Sequence, residues 1–183
     1  MTRAPNRNIR GNLMFILNHL IEPHFPRTIS THTSTNRQIM IYHLEEAIAR
    51  FNQANGIDCR INAYPDLTQN APSMIFIDID RANFKTAAEL NRALNRTLRN
   101  IEDLLNAHPT VLFTGNGYHV YQPIQAQRLE DIREFNNTSN PSTKFLRFAA
   151  LFLSNGKSDP NNYQSIRSCM LRIPGSLNSK CPQ

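Results

Sequence analysis

The chain has 183 residues, and its 20 lysines and arginines exceed its 14 aspartates and glutamates, so the formal net charge is +6. This length suits one hydrophobic core, and we expect a single domain spanning residues 1–183. The basic excess favours a polyanionic partner, although many solvated surfaces carry a similar charge. Three irregularly spaced cysteines exclude a disulfide framework and a four-ligand zinc site within this chain, so we expect reduced thiols and a cytoplasmic location.

The sequence predicts no signal peptide, no membrane-spanning segment and no membrane partner. The N-terminal residues "MTRAPNRNIRGN" are basic but lack the apolar stretch of a signal peptide, and no apolar run approaches membrane-spanning length. The final residues "NSKCPQ" directly follow a motif. We therefore expect an N-terminal fragment of a longer chain, in which Cys181 could belong to a zinc site.

The predicted elements of the first part of the chain begin with a helix over residues 9–20, where apolar residues recur at helical spacing. The polar segment "RTISTHTSTNRQ" at residues 27–38 is expected to be a connection. A second helix follows over residues 44–54 and ends at Gly56. The next segments, "CRINAYP" and then "SMIFIDID", are both typical of strands.

The second part of the chain continues the alternation. Thr86 and Glu89 form a capping box before a helix whose apolar stripe consists of Leu90, Leu94, Leu98, Ile101 and Leu105. "TVLFTGNGYHVYQPI" predicts two strands joined by a tight turn at Asn116-Gly117. A helix over residues 142–153 and a strand in "SCMLRIPGSLN" complete the series. This order favours an α+β fold with a mixed or antiparallel sheet flanked by helices.

Two carboxylates end the predicted strand "SMIFIDID", at Asp78 and Asp80. Side chains two apart in a strand share a face, and two ionised carboxylates there repel unless a cation or a base neutralises them. Aspartate also commonly closes strands and caps turns. The apolar residues 74–77 place this pair on a rigid element, which favours a site for a hard divalent cation such as Mg²⁺.

The other candidates are individually weaker. His119 follows the glycine turn at Asn116 and Gly117, where a phosphate can approach backbone N–H groups, although isolated strand histidines are more often packed or hydrogen-bonded. Asp159 lies in a predicted loop, where turn formation is the alternative role. The residues that follow it could hold a triphosphate or be ordinary solvated charges: Tyr163, Arg167, Arg172 and Lys180.

Taken in order, "FIDID", "TGNGYH" and "SDPNNYQSIRSCMLRIPGSLNSK" resemble the three-motif signature of the archaeo-eukaryotic primase superfamily, in particular its primase-polymerase members from archaeal chromosomes, plasmids or viruses. The resemblance covers residues 74–180. It implies a primase-like core with an RRM-like sheet, in which two Mg²⁺ or Mn²⁺ ions are held by three carboxylates, those of Asp78, Asp80 and Asp159. It also implies nucleotide-binding positions, at Asn116, Gly117, His119, Tyr163, Arg167, Arg172 and Lys180.

The function implied by the resemblance is template-dependent nucleotidyl transfer, which synthesises primers or extends strands in DNA replication. Its partners would be a single-stranded DNA template, a primer strand, nucleoside triphosphates and an accessory helical or helicase domain. A metal-dependent nuclease is one alternative, but it has no use for a triphosphate clamp. A non-catalytic single-strand-binding module of RRM type is another, and it is disfavoured because Tyr118 and Tyr121 should not share a sheet face.

Overall fold

The computed structural model of the chain describes residues 8–34, 37–65, 71–125, 139–162 and 165–181. Contacts divide the chain into two compact units: unit 1 comprises Met1–Asp66 and Met170–Gln183, and unit 2 comprises Leu67–Cys169. Each unit contains an antiparallel sheet and helices, so the expected α+β class is confirmed. The single domain expected over residues 1–183 stays a prediction.

Four helices and seven strands are present in the described residues. The helices are α1 (Ile9–His19), α2 (Leu44–Gln53), α3 (Ala87–Leu105) and α4 (Pro141–Leu153). The strands are β1 (Arg27–Ser30), β2 (Ile39–Ile41), β3 (Arg60–Asn62), β4 (Met74–Asp80), β5 (Thr110–Phe113), β6 (Gly117–Pro123) and β7 (Met170–Arg172). Short 3₁₀ turns occupy His32–Ser34 and Arg81–Asn83.

Unit 1 is built on a four-stranded antiparallel sheet in the order β2-β1-β3-β7. The polar connection predicted over residues 27–38 is wrong at its start, because β1 occupies Arg27–Ser30. Arg27 is fully buried there and donates hydrogen bonds to the carbonyl oxygens of His24, Asn62 and Ala63. Burial lowers the pKa of Arg27 to about 10, although the nearby Glu22 carboxylate opposes this shift. The polar strand β1 is therefore held in the sheet by side-chain hydrogen bonds to residues distant in the sequence.

An ion pair in unit 1 joins β7 to the segment that precedes β3. Arg172 is buried, and its two terminal nitrogens each donate to Asp58 Oδ1 at 3.2 Å. Ser179 donates to the same carboxylate through its backbone N–H, at 3.3 Å, and through its hydroxyl. Burial acts to raise the pKa of Asp58, but the Ser179 hydrogen bonds and the Arg172 charge together hold it below its ordinary value.

Unit 2 is built on a three-stranded antiparallel sheet in the order β4-β6-β5, with α3 and α4 packed against β4. The core of this unit is apolar and consists of Ile75, Ile77, Ile79, Leu90, Ala93, Ile101, Val120, Ala149, Ala150 and Leu153. One half of the predicted capping box is confirmed at the start of α3, where Thr86 Oγ accepts from the Glu89 N–H at 3.1 Å. The Glu89 carboxylate accepts from the N–H of Lys85, one residue before the cap. The predicted stripe is wrong at Leu105, which is exposed because α3 ends there, at the Asn106 cap.

None of the helices in the described residues is both long enough and apolar enough to cross a membrane. The cysteines at positions 59, 169 and 181 are thiols in the structure. Complete burial raises the pKa of the Cys169 thiol to about 12, so this side chain is neutral at physiological pH.

We expect Asp58→Asn to destabilise the fold by about 1–3 kcal/mol at neutral pH, because it weakens bonds to a charged acceptor and leaves Arg172 without a carboxylate. The pKa of Asp58 is lowered on folding, so its carboxylate stabilises the folded state above the unfolded pKa of about 3.9 and loses this effect as the pH falls through the folded pKa. The stability difference should therefore shrink in strongly acidic solution.

Urea unfolding of the wild type and Asp58→Asn at a series of pH values measures this effect. Asp103→Asn is a suitable control, because Asp103 is exposed on α3. A wild-type to Asp58→Asn difference that did not change with pH would contradict the assigned ion pair.

Candidate functional site

The register between β4 and β6 places the predicted site residues opposite one another. Asp78 pairs with His119, and Asp80 pairs with Gly117. Opposite residues of antiparallel strands present their side chains on the same face. Ile77 and Ile79 point to the other face, into the core beneath the helices. The carboxylates and the imidazole therefore share the face of this sheet that is turned away from the helices.

Gly117 allows β6 to approach the end of β4. A Cβ atom at this position would lie 2.3 Å from the carbonyl oxygen of Ile79 and 3.1 Å from the Cα of Asp80. The Arg81 N–H also donates to the carbonyl oxygen of Asn116 at 2.8 Å. Positive φ angles fall at Gly115 and Gly117 and not at Asn116, so the turn predicted at Asn116-Gly117 uses its two glycines. The two glycines supply the positive φ angles that the turn needs. Asn116 has a different role, because its side chain binds Asp80.

Asp80 is held by two donors. Its Oδ1 accepts from the Asn116 side-chain amide at 3.0 Å and from the Ala82 N–H at 2.8 Å. The second bond caps the 3₁₀ turn Arg81–Asn83, so the capping role considered from the sequence is present. Both bonds use one oxygen, and Oδ2 has no hydrogen-bond donor among the described residues. Capping therefore leaves a carboxylate oxygen available to a further ligand.

Asp78 connects three parts of unit 2. Its Oδ2 accepts from the Asn162 side-chain amide at 2.9 Å, and its Oδ1 lies 3.7 Å from His119 Nε2, a distance that permits an ion pair when the imidazole is protonated. Its backbone carbonyl accepts from the Asp159 N–H at 2.7 Å. Because β4 is an edge strand of this sheet, the loop after α4 attaches along its outer edge at Asp78.

The ring of His119 is fixed by two buried aromatic residues. Its Nδ1 lies 3.0 Å from the Tyr121 hydroxyl, and Phe76 packs edge-on against it at a centroid distance of 4.9 Å. Phe76 also contacts Tyr121. His119 is therefore packed and hydrogen-bonded, as isolated strand histidines usually are, and its Nε2 is nevertheless directed to the carboxylate of Asp78.

The Asp159 side chain forms a local turn. Its Oδ1 accepts from the backbone N–H and the side-chain amide of Asn161, at 3.1 Å and 3.3 Å. The turn-forming role is therefore present, while the backbone of Asp159 is bound to β4. Within the described ranges, no group of three or more histidine, cysteine, aspartate or glutamate side chains is arranged to hold a metal ion.

The donor chemistry of Asp78 and Asp80 fits a magnesium or manganese ion. Mg²⁺ is commonly held in enzymes by one or two carboxylates, with water and substrate phosphates completing the octahedral shell. Asp80 has the available Oδ2, and the partners of both carboxylates include neutral amides, which orient a carboxylate without cancelling its charge. The pair would therefore hold the ion together with substrate oxygens.

The remaining predicted residues lie elsewhere in the chain. Arg167 is exposed in unit 2, in the segment after Asp159, and Tyr163 lies outside the described residues. Arg172 and Lys180 belong to unit 1, where Arg172 is the buried partner of Asp58 and Lys180 is exposed. The residues that the structure brings together around β4 are thus Asp78, Asp80, Asn116, Gly117, His119 and the backbone of Asp159.

Sequence reasoning missed three residues that organise this site: Phe76, Tyr121 and Asn162. Phe76 and Tyr121 could have been found, because each lies two positions from a candidate on a strand and therefore shares its face. Asn162 has no such signal, since it reaches Asp78 across a separation of 84 residues.

Comparisons of this chain with protein-family models, with curated proteins and with solved structures find no match. The resemblance to the primase superfamily therefore stays a prediction that rests on the sequence motifs.

We expect Gly117→Ala to cost about 3 kcal/mol or more of folding stability, because the added Cβ meets backbone atoms that cannot move without separating β6 from β4. Gly156→Ala is the matched control. Gly156 also has a positive φ, of 73°, but a Cβ there meets no atom within 4 Å, so only about 1 kcal/mol of backbone strain is expected. Urea unfolding gives both values, and equal losses would contradict the close approach at Gly117.

Proposed function

We propose that the chain is a template-dependent nucleotidyltransferase of the primase-polymerase class, with its reaction centre at the end of β4. One observation supports the proposal most strongly: three segments that are separate in the sequence come together at the end of β4. Asp78 and Asp80 lie opposite His119 and Gly117, and the Asp159 N–H binds the carbonyl of Asp78. These are the same three stretches whose sequences resemble the primase signature.

In the proposed reaction, Asp78 and Asp80 would hold the Mg²⁺ or Mn²⁺ ions. Asp159, the third carboxylate that the resemblance implies, has its side chain in a local turn with Asn161 and attaches its loop to β4 through its backbone N–H. When bound, such ions stabilise the negative charge on the attacking and leaving oxygens of a phosphoryl transfer. Asn162 and Asn116 hold the carboxylates of Asp78 and Asp80 in their orientations. Carboxylates held in this way need less reorganisation during the reaction.

In this proposal, His119 donates a hydrogen bond to a phosphate of the nucleotide. Its ring is held by Tyr121 and Phe76, so its Nε2 is presented beside Asp78 at little further entropic cost. A protonated or Nε2–H imidazole can donate to an oxygen of the incoming triphosphate. Such a donor helps to position the α-phosphorus for in-line attack by a primer hydroxyl, and no nucleophile from the protein is required.

The triphosphate clamp and the macromolecular partners complete the proposal. Arg167, in the segment after Asp159, is the exposed member of the predicted clamp in unit 2, and its guanidinium suits bidentate binding of phosphate oxygens. Arg172 is bound to Asp58 in unit 1 and is not assigned to the clamp. The template is single-stranded DNA, which pairs with the incoming nucleotide and thereby selects it. The setting is DNA replication, with a primer strand and an accessory helical or helicase domain as further partners.

We expect Asp78→Asn and Asp80→Asn each to lower nucleotide incorporation by about a thousandfold, since several kcal/mol of charge stabilisation would be lost. Asparagine preserves the shape of the side chain and its ability to accept hydrogen bonds, so the fold should persist. The assay uses single-stranded template, primer, Mn²⁺ and either ribonucleoside or deoxyribonucleoside triphosphates. The exposed Asp103→Asn is the control. Full incorporation by the folded double variant would overturn the assignment, and cleavage of the template by the wild type in place of incorporation would indicate a nuclease.

We expect His119→Gln to raise the Michaelis constant for nucleoside triphosphate by about ten- to a hundredfold, because one charge-assisted hydrogen bond contributes about 1.5–3 kcal/mol. Affinity for single-stranded DNA should change little, because it is distributed over many phosphate contacts. His108→Gln is the control, since His108 is exposed after the end of α3. Loss of strand binding with an unchanged Michaelis constant would show that His119 faces the template.

A further inference from the structure

A cavity of about 430 Å³ lies in unit 2, outside the hydrogen-bonded network of Asp78, Asp80 and His119. Its walls come from the segment that follows β4, the first turns of α3 and the loop that follows α4. Its volume is within the range of small-molecule and nucleotide sites. Its aromatic and charged lining residues are Phe84, Lys85, Glu89, Arg92, Arg96 and Lys157.

Four of these side chains are cationic and exposed to solvent. Arg92 and Arg96 are one helical turn apart on α3, which separates them by about 6 Å along the axis. Lys85 precedes the helix, and Lys157 comes from the loop after α4. The cavity thus has a row of positive charges and a further lysine from another segment. Such an arrangement suits a chain of phosphates better than a single anion.

The carboxylate among the lining residues is already bound. Glu89 Oε2 accepts from the backbone N–H of Lys85 at 3.0 Å, as part of the cap at the start of α3. Its charge reduces the positive field but does not cancel it, because four cationic side chains surround the same cavity. The cavity is therefore suited to a polyanion.

Phe84 gives the cavity an aromatic wall. It is half-buried and packs against the hydrophobic core of unit 2, so its ring is held in place. A basic groove with an aromatic side chain is the combination that binds single-stranded nucleic acids without base specificity, through backbone charge and base stacking. Free inorganic polyphosphate would use the cationic residues but would gain nothing from the ring.

The cavity is also connected to the carboxylate pair through the chain. Asp80 is the N-cap of the 3₁₀ turn Arg81–Asn83, and Phe84 is its C-cap. Lys157 lies two residues before Asp159, whose N–H binds β4. The same two loops therefore supply the lining of the cavity and the polar groups at the end of β4.

We propose that this cavity binds the phosphate backbone of a single-stranded nucleic acid, with Lys85, Arg92, Arg96 and Lys157 contacting phosphates and Phe84 stacking on a base. The inference deepens the proposed function, because it assigns a place for the strand beside the proposed reaction centre. Binding of the strand is nevertheless a property that can be measured without metal, nucleotide or turnover.

The test is the fluorescence anisotropy of a labelled oligothymidylate, titrated with the whole chain in EDTA at several salt concentrations. We expect Arg92→Gln/Arg96→Gln to bind about tenfold more weakly than the wild type, and the slope of log K against log salt to decrease by about 1.4 in magnitude. The control is Arg50→Gln/Arg99→Gln, which has the same net charge and removes two exposed arginines that do not line the cavity. Equal affinities of the two double variants would overturn the proposal.

A second arm distinguishes a strand from free phosphate. We expect Phe84→Leu, which keeps an apolar side chain against the core, to weaken oligothymidylate binding several-fold and to leave the binding of inorganic tripolyphosphate unchanged. If tripolyphosphate binding alone depended on Arg92 and Arg96, the cavity would be a polyphosphate site and the proposal would fail. Since the assay contains neither metal nor nucleoside triphosphate, its outcome is independent of whether the chain incorporates nucleotides.

Discussion

Pairing between β4 and β6 holds Asp78 opposite His119 and Asp80 opposite Gly117. A register shift of one residue would exchange the two faces of a strand, so the isoleucines that alternate with these aspartates would leave the core and the carboxylates would enter it. Burial of Ile75, Ile77 and Ile79 beneath α3 and α4 makes such a shift very costly. The hydrophobic core of unit 2 therefore determines which polar groups meet on the opposite face.

The carboxylates on that polar face are oriented largely by neutral hydrogen-bond donors. Asn116 binds the carboxylate of Asp80, and Asn162 binds that of Asp78. An amide orients a carboxylate but leaves its charge in place, whereas a lysine or arginine would neutralise it. His119 supplies positive charge only in its protonated form. The arrangement thus keeps negative charge at the end of β4, and the basic cavity belongs to the same unit, as the proposed binding of a cation and of phosphates requires.

Local signals in the sequence were sufficient for much of the fold. The alternation of residues predicts β4, and the Thr86 and Glu89 pair predicts the start of α3. Features that depend on distant contacts were not predictable in this way. The polar strand β1 is buried because Arg27 finds carbonyl partners on β3 and beyond, and Asn162 meets Asp78 only after the loop has folded back onto β4.

We propose that the carboxylates at the end of β4 bind a divalent cation together with a triphosphate. Paramagnetic broadening of backbone amide resonances by substoichiometric Mn²⁺, with and without a non-hydrolysable nucleoside triphosphate, tests it most directly. We expect the resonances of Asp78, Asp80 and Gly117 to broaden first, and the nucleotide to lower the Mn²⁺ concentration required. Broadening confined to other parts of the chain, with these resonances unaffected in the presence of nucleotide, would show that these carboxylates do not hold the cation.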